Sequence, residues 1–173
     1  MPTIGVSVAV PEPWGGRLQE FRVANGDSQG SGIPTHVTLV PPVEVGSARL
    51  DEIEGHLAEV AAAHPAYRVH LRGSGTFRPV SPVVFVNLVE GISQTEQLAK
   101  ACRRGPLALE LDFPYHPHVT VAHLSDEVLL DRAFDELAGF DCAFTVEAFH
   151  LYVHDAALGW KATRDYPLTG PTG

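Results

Sequence analysis

Two short stretches of the chain pair an imidazole with a hydroxyl at the same spacing. His36-Val37-Thr38-Leu39 and His118-Val119-Thr120-Val121 both read His, apolar, Thr, apolar, and their histidines lie 82 residues apart. Alternation with a period of 2 marks each as a β-strand, with His and Thr on one face and the apolar residues on the other. Imidazole titrates near neutral pH, so one of two histidines can accept a proton while the other gives one up. A threonine hydroxyl beside each can hydrogen-bond a charged oxygen. Thr is common in strands, and a lone strand His is ordinarily a core or surface residue. The doubling singles these four out as one acid–base site built from two matching strands.

The elements around the motifs must bring them together. Thr3–Val10 reads as a buried strand; Pro11 and Pro13 end it and open a helix with Trp14, Leu18 and Phe21 at helical spacing. Asn25-Gly26 stops that helix, and a Gly- and Ser-rich loop leads into the motif strand His36–Val40, ended by Pro41-Pro42. Ser47 is a candidate N-cap for a helix striped by Leu50, Ile53, Leu57 and Val60, which Pro65 ends. Tyr67–Leu71 alternates as a strand and runs into the turn Arg72-Gly73-Ser74-Gly75-Thr76-Phe77-Arg78-Pro79. Val83–Val89 is a strongly apolar strand, and Ser93-Gln94-Thr95-Glu96 is a capping box opening a helix to about Arg103. Leu107–Leu111 is expected to be a strand, with Asp112–Pro117 connecting it to the second motif strand. Ser125 caps a helix carrying Leu130, Phe134 and Leu137; Phe140–Val153 is strand-rich, and Trp160–Leu168 returns to close a C-terminal hairpin.

The order strand, helix, motif strand, helix, strand occurs twice. It predicts one α+β domain over residues 1–173 made of two lobes, approximately 1–80 and 81–173, related by a pseudo-two-fold axis. Each lobe is expected to be a sheet with helices on its outer side, the motif strands facing each other across a central cleft. Runs of strands without steady βαβ alternation favour this over a doubly wound parallel sheet.

Composition narrows the partners. A hydrophobic content of 45% and a mean hydropathy of +0.03 describe an ordinary soluble domain. No segment approaches the roughly 20 apolar residues of a membrane helix, and no signal peptide is evident. Cys102 and Cys142 are too few for a disulfide framework, so free thiols and a cytoplasmic protein are expected. A formal charge of −9 argues against coating long nucleic acid but leaves room for a small nucleotide or one RNA end in a local cleft. His116, His118 and His123 invite a metal reading. Strand parity, however, places His123 on the opposite face, and Asp112 and Asp126 lie outside the strand, so no metal is expected. His56 and His64 are expected to be solvated, and His150 and His154 are given no role.

The paired motifs resemble those of the 2H phosphoesterase superfamily, and within it the bacterial 2′-5′ RNA ligase-like proteins, also called RNA 2′,3′-cyclic phosphodiesterases. The resemblance covers most of the chain, including Gly73–Phe77, the strand Val83–Val89, the motif spacing and the hairpin with Trp160. It implies a bilobal fold in which His36 and His118 act as catalytic acid and base on a phosphate that Thr38 and Thr120 hold. It implies metal-free opening of a 2′,3′-cyclic phosphate on an RNA 3′ end or small nucleotide, without a cofactor and with reversible 2′-5′ ligation as a second capability. No G-x-x-x-x-G-K-[ST] loop is present, so ligation would not use ATP. Many members carry Arg three residues after the second Thr, where this chain has His123; that residue either turns into the cleft in the arginine's place or caps the strand. Phe77, Arg78, Tyr115 and His116 are further candidates for substrate contact, against a solvated turn and rim. The alternatives from other classes are a non-catalytic nucleotide- or RNA-end-binding module and a metal-dependent, cupin-like oxygenase. The oligomeric state is not set by the sequence, with a monomer as the default.

Overall fold

The computed structural model describes residues 1–172. Eight strands form two antiparallel four-stranded sheets, covered by four helices. In chain order the strands are β1 (Thr3–Ala9), β2 (His36–Glu44), β3 (Tyr67–Thr76), β4 (Val83–Glu90), β5 (His118–His123), β6 (Asp141–Val146), β7 (Ala148–Asp155) and β8 (Gly159–Pro167). The helices are α1 (Trp14–Ala24), α2 (Leu50–Ala63), α3 (Ile92–Cys102) and α4 (Glu127–Glu136). The fold is α+β, and among the described residues no helix is long and apolar enough to cross a membrane.

One sheet runs β2-β1-β7-β8 and the other β5-β4-β3-β6. Each motif strand is thus an edge strand, paired with the strand that precedes it across one helix. The two edges approach each other, so β2 and β5 meet where the sheets converge. The sheets do not follow the division at residue 80. Strand β3, from the first half, pairs with β4 and β6, while β7 and β8, from the second, pair with β1 and with each other. A hydrophobic core of residues from both sheets, among them Ile4, Leu39, Leu71, Val121 and Phe149, welds the lobes together.

Three local expectations are corrected. Strand β2 continues through Pro41 and Pro42 to Glu44. An edge strand has one side free of partners, so proline's missing N–H is tolerated there. Leu107–Leu111 forms no strand: Gly105–Leu107 is a 3₁₀ turn and the chain from Ala108 to Pro117 is irregular. The caps shift by one or two residues. Asp126, not Ser125, accepts from the Val128 and Leu129 amides, α3 opens at Gly91, and Ser47–Arg49 is a 3₁₀ turn before α2.

Candidate active site

The two motifs build half-sites by the same device. In β2, His36 lies opposite Ala9 and Thr38 opposite Ser7; in β5, His118 lies opposite Asn87 and Thr120 opposite Phe85. His36 Nδ1–H donates to the Pro34 carbonyl at 2.6 Å, and His118 Nδ1–H donates to the His116 carbonyl at 2.7 Å. In both cases the acceptor is two residues upstream. Each bond fixes a tautomer and leaves Nε2 as the ring atom available to a substrate. His36 and Thr38 line a cavity of 110 Å³; Thr38 also lines an adjoining groove of 670 Å³ with His118 and Thr120. Thr38 therefore joins the two halves into one cleft.

The register slips by one residue just after each motif threonine. Val6 pairs with Val40 but Ser7 with Thr38, and Val84 pairs with Ala122 but Phe85 with Thr120, leaving Leu39 and Val121 as extra residues. Such a bulge inverts the facing of whatever follows it. His118, Thr120 and His123 accordingly oppose Asn87, Phe85 and Val83, which share one face of β4. Simple parity placed His123 on the opposite face; the bulge returns it to the side of His118 and Thr120. Nothing in the residue types announces the slip, although two consecutive apolar residues after each Thr are its trace.

The half-sites differ in what surrounds them. His118 is packed edge-on against Phe77, with ring centroids 4.8 Å apart at 89°, and against Phe85 at 5.2 Å. Gly75 makes that cage possible, because a Cβ there would come within 2.6 Å of the Phe85 ring. Burial pushes the His118 pKa down to about 4, opposed by its bond to the His116 carbonyl and assisted by the charges of His116 and His36. Burial also lowers the His36 pKa, with a further push from the Arg22 guanidinium. That guanidinium belongs to a buried ion pair, Arg22 Nε to Asp27 Oδ2 at 2.6 Å. The same Asp27 oxygen accepts the backbone N–H of His123 at 3.0 Å, so an acid from the loop after α1 pins the end of β5. The tie is reciprocated by Tyr115, ahead of β5, whose hydroxyl donates to the Thr38 carbonyl in β2 at 2.6 Å. The Tyr115 ring carries the Arg103 guanidinium at 4.8 Å from its centroid, and Arg103 in turn donates to the Leu39 carbonyl.

Of the other candidates, Phe77, Tyr115 and His116 line the groove, His116 at its exposed rim. Arg78 is not among its lining residues. Its guanidinium is committed to Glu127 and Asp131 of α4, at 2.9 Å each, and its Nε to the Thr76 hydroxyl, so it anchors the turn to the helix. Arg72 leans toward Asp141 at 3.9 Å. Sequence reasoning missed Ser7, Asp27 and Arg103, whose parts depend on pairing across 30 or more residues. Among the described residues, no group of three His, Cys, Asp or Glu side chains is arranged to hold a metal ion.

Comparison with known proteins matches this architecture. A protein of Geobacillus sp. strain WCH70, provisionally named a phosphoesterase, is 28% identical over 161 residues, covering 89% of this chain and 91% of that one. A similarly named protein of Bacillus cytotoxicus is 29% identical over 140 residues, 79% of this chain and 80% of its own. Among solved structures, TT0787 of Thermus thermophilus superposes with a TM-score of 0.69 at 20% identity, covering 99% of this chain and 100% of that one. The E. coli LigT structure with 3′-AMP gives 0.66 at 21%, covering 98% and 99%. These likenesses establish the fold. The family model described as the 2′-5′ RNA ligase superfamily matches residues 10–158, and the chain belongs to that family.

Proposed function

We propose that the protein is a metal-independent phosphodiesterase that opens 2′,3′-cyclic phosphates on RNA ends or small nucleotides. One observation carries the reading: both histidines commit Nδ1–H to a backbone carbonyl and keep Nε2 for a cleft that both threonines line. One neutral imidazole takes a proton from water as its oxygen attacks phosphorus. The opposite imidazolium gives a proton to the departing ribose oxygen, and the ring opens to a phosphomonoester. Attack and departure lie roughly in line, so acid and base must flank phosphorus. Two strands from two sheets suit that geometry. The Thr38 and Thr120 hydroxyls donate to the non-bridging oxygens and hold phosphorus between the rings. With both pKa values lowered, the free protein holds two neutral imidazoles near pH 7. An incoming phosphate anion favours protonation of one of them and so creates the acid. With the 5′-hydroxyl of a second RNA strand in place of water, the same exchange would break the P–O3′ bond, leave a 2′-5′ phosphodiester and so ligate.

The names of the curated relatives and the LigT structures with 3′-AMP and with phosphate support a phosphoester ligand of this size. The test is hydrolysis of a short oligonucleotide ending in a 2′,3′-cyclic phosphate, with EDTA present. Wild type is expected to turn over. His36→Ala and His118→Ala are each expected to lose roughly 10²–10⁴-fold in kcat/KM, the usual range for an acid–base group. Binding without turnover by wild type would instead support a nucleotide-binding module.

A further inference from the structure

The cleft face of the first sheet extends well beyond the half-site. Register fixes what it shows. Thr38 lies opposite Ser7, Ser7 opposite His150, and His150 opposite Asp165, so one polar row crosses all four strands. Side chains directly opposite in antiparallel strands share a face. Gly5 lies opposite Tyr152 and His154 opposite Trp160 on that same face. The Trp160 indole reaches back over Gly5, where a Cβ would touch it at 3.6 Å, and packs against the His154 ring at 5.1 Å. Tyr152 and Trp160 line the 110 Å³ cavity with His36 and Ser7. Beyond Trp160 and Ile33 the cavity continues into an open hollow of 460 Å³. Of these groups, Tyr152, Trp160, His150, His154 and Asp165 have no part in the proton transfers.

We propose that this face is a second nucleoside subsite, so that the substrate is an RNA end of at least two nucleotides, with the nucleoside 5′ to the terminal one seated on Tyr152 and Trp160. The inference rests on the phosphodiesterase reading above. An aromatic floor accepts any base by its π-face. The polar row supplies hydrogen bonds along one side. His150 Nδ1–H donates to Asp165 Oδ1 at 2.7 Å, which holds the ring and leaves its Nε2 free to meet a ribose or base group. His150 stands two strand spacings from Thr38, roughly 10 Å, a span suited to the terminal ribose and its 5′-phosphate, which join the upstream nucleoside to the cyclic phosphate held by the threonines. On the other side of the histidines, the groove past Phe77 is left for the terminal nucleotide.

The experiment compares kcat/KM for adenosine 2′,3′-cyclic phosphate with that for the dinucleotide ApA ending in a 2′,3′-cyclic phosphate. Stacking of this kind is expected to favour the dinucleotide roughly 10- to 100-fold in wild type. Trp160→Ala should bring that ratio close to 1, and Trp160→Phe should keep most of it, which separates stacking from damage to the fold. A ratio near 1 in wild type, or one that Trp160→Ala leaves intact, overturns the subsite. If neither compound is opened, the phosphodiesterase reading fails and binding decides the subsite separately. In Trp14→Phe protein, saturable quenching of Trp160 fluorescence by the dinucleotide but not the mononucleotide upholds it, and no quenching overturns it.

Discussion

The β2 and β5 half-sites share a frame and differ in their settings. In both, an edge strand presents His and Thr, a carbonyl two residues upstream anchors Nδ1, and a bulge follows the Thr. His36, however, sits beside a buried Arg22–Asp27 pair, whereas His118 stands in a cage of Phe77 and Phe85 with His116 at its shoulder. At the position where Pro41 follows the first bulge, His123 follows the second. Under the proposed phosphodiesterase reading, the shared frame would set the geometry of in-line attack, and the differing surroundings would make one imidazole the acid and the other the base. Neither half is held only by its own lobe. Asp27 grips the end of β5, and Tyr115 grips β2.

Breaking these cross-ties should give the largest effects on stability. Asp27→Ala strands a buried guanidinium and frees the His123 amide, and is expected to cost about 3–5 kcal/mol in urea unfolding. A loss under about 1 kcal/mol would mean that the pair is not shielded from water in solution. Next come the threonines. Thr38→Val and Thr120→Val each remove one hydroxyl proposed to donate to phosphate oxygens and should lower kcat by about 10²-fold, the lower end for loss of an oxyanion donor. Equal losses would show the halves equivalent at phosphorus, and a loss at only one would place the charge there.

The pH dependence sharpens the contrast between free and loaded site. Both imidazoles titrate below 6.5 in the free protein, His118 at about 4. The profile of kcat/KM, which reports the free protein, should therefore be a bell with its alkaline limb below pH 6.5. The kcat profile should be displaced to higher pH, because bound phosphate raises the acid's pKa. Coincident profiles centred above pH 7, or a rate rising steadily to high pH, would contradict the two-imidazole scheme. The smallest effect concerns stability. The unfolded chain takes up protons near 6.5 that the folded site takes up only at lower pH. Stability is therefore full above pH 6.5 and is lost as pH falls through the folded values. Thermal unfolding between pH 7 and 5 should show a gentler fall in Tm for His118→Asn than for wild type.

Much of this was legible in the sequence because it depends on short-range pattern. The His-x-Thr doubling, the apolar stripe of α2 and the closing hairpin all follow from spacings of two to four residues. What was not legible depends on partners distant in the chain. Pro41 and Pro42 look like a stop until β2 is known to be an edge. The side of His123 depends on a one-residue slip against β4. Arg78 looks free for an anion until α4 brings Glu127 and Asp131 to it, and β3 belongs to the second sheet because β4 and β6 flank it.

The central claim is that strands from two sheets form one catalytic site, and the double variant His36→Ala/His118→Ala tests it most directly against the two single variants. Groups acting as a unit are strongly non-additive. The double variant is expected to retain kcat/KM within a few-fold of the more damaged single one. If the two losses instead multiply, the imidazoles act independently and the one-site account is wrong.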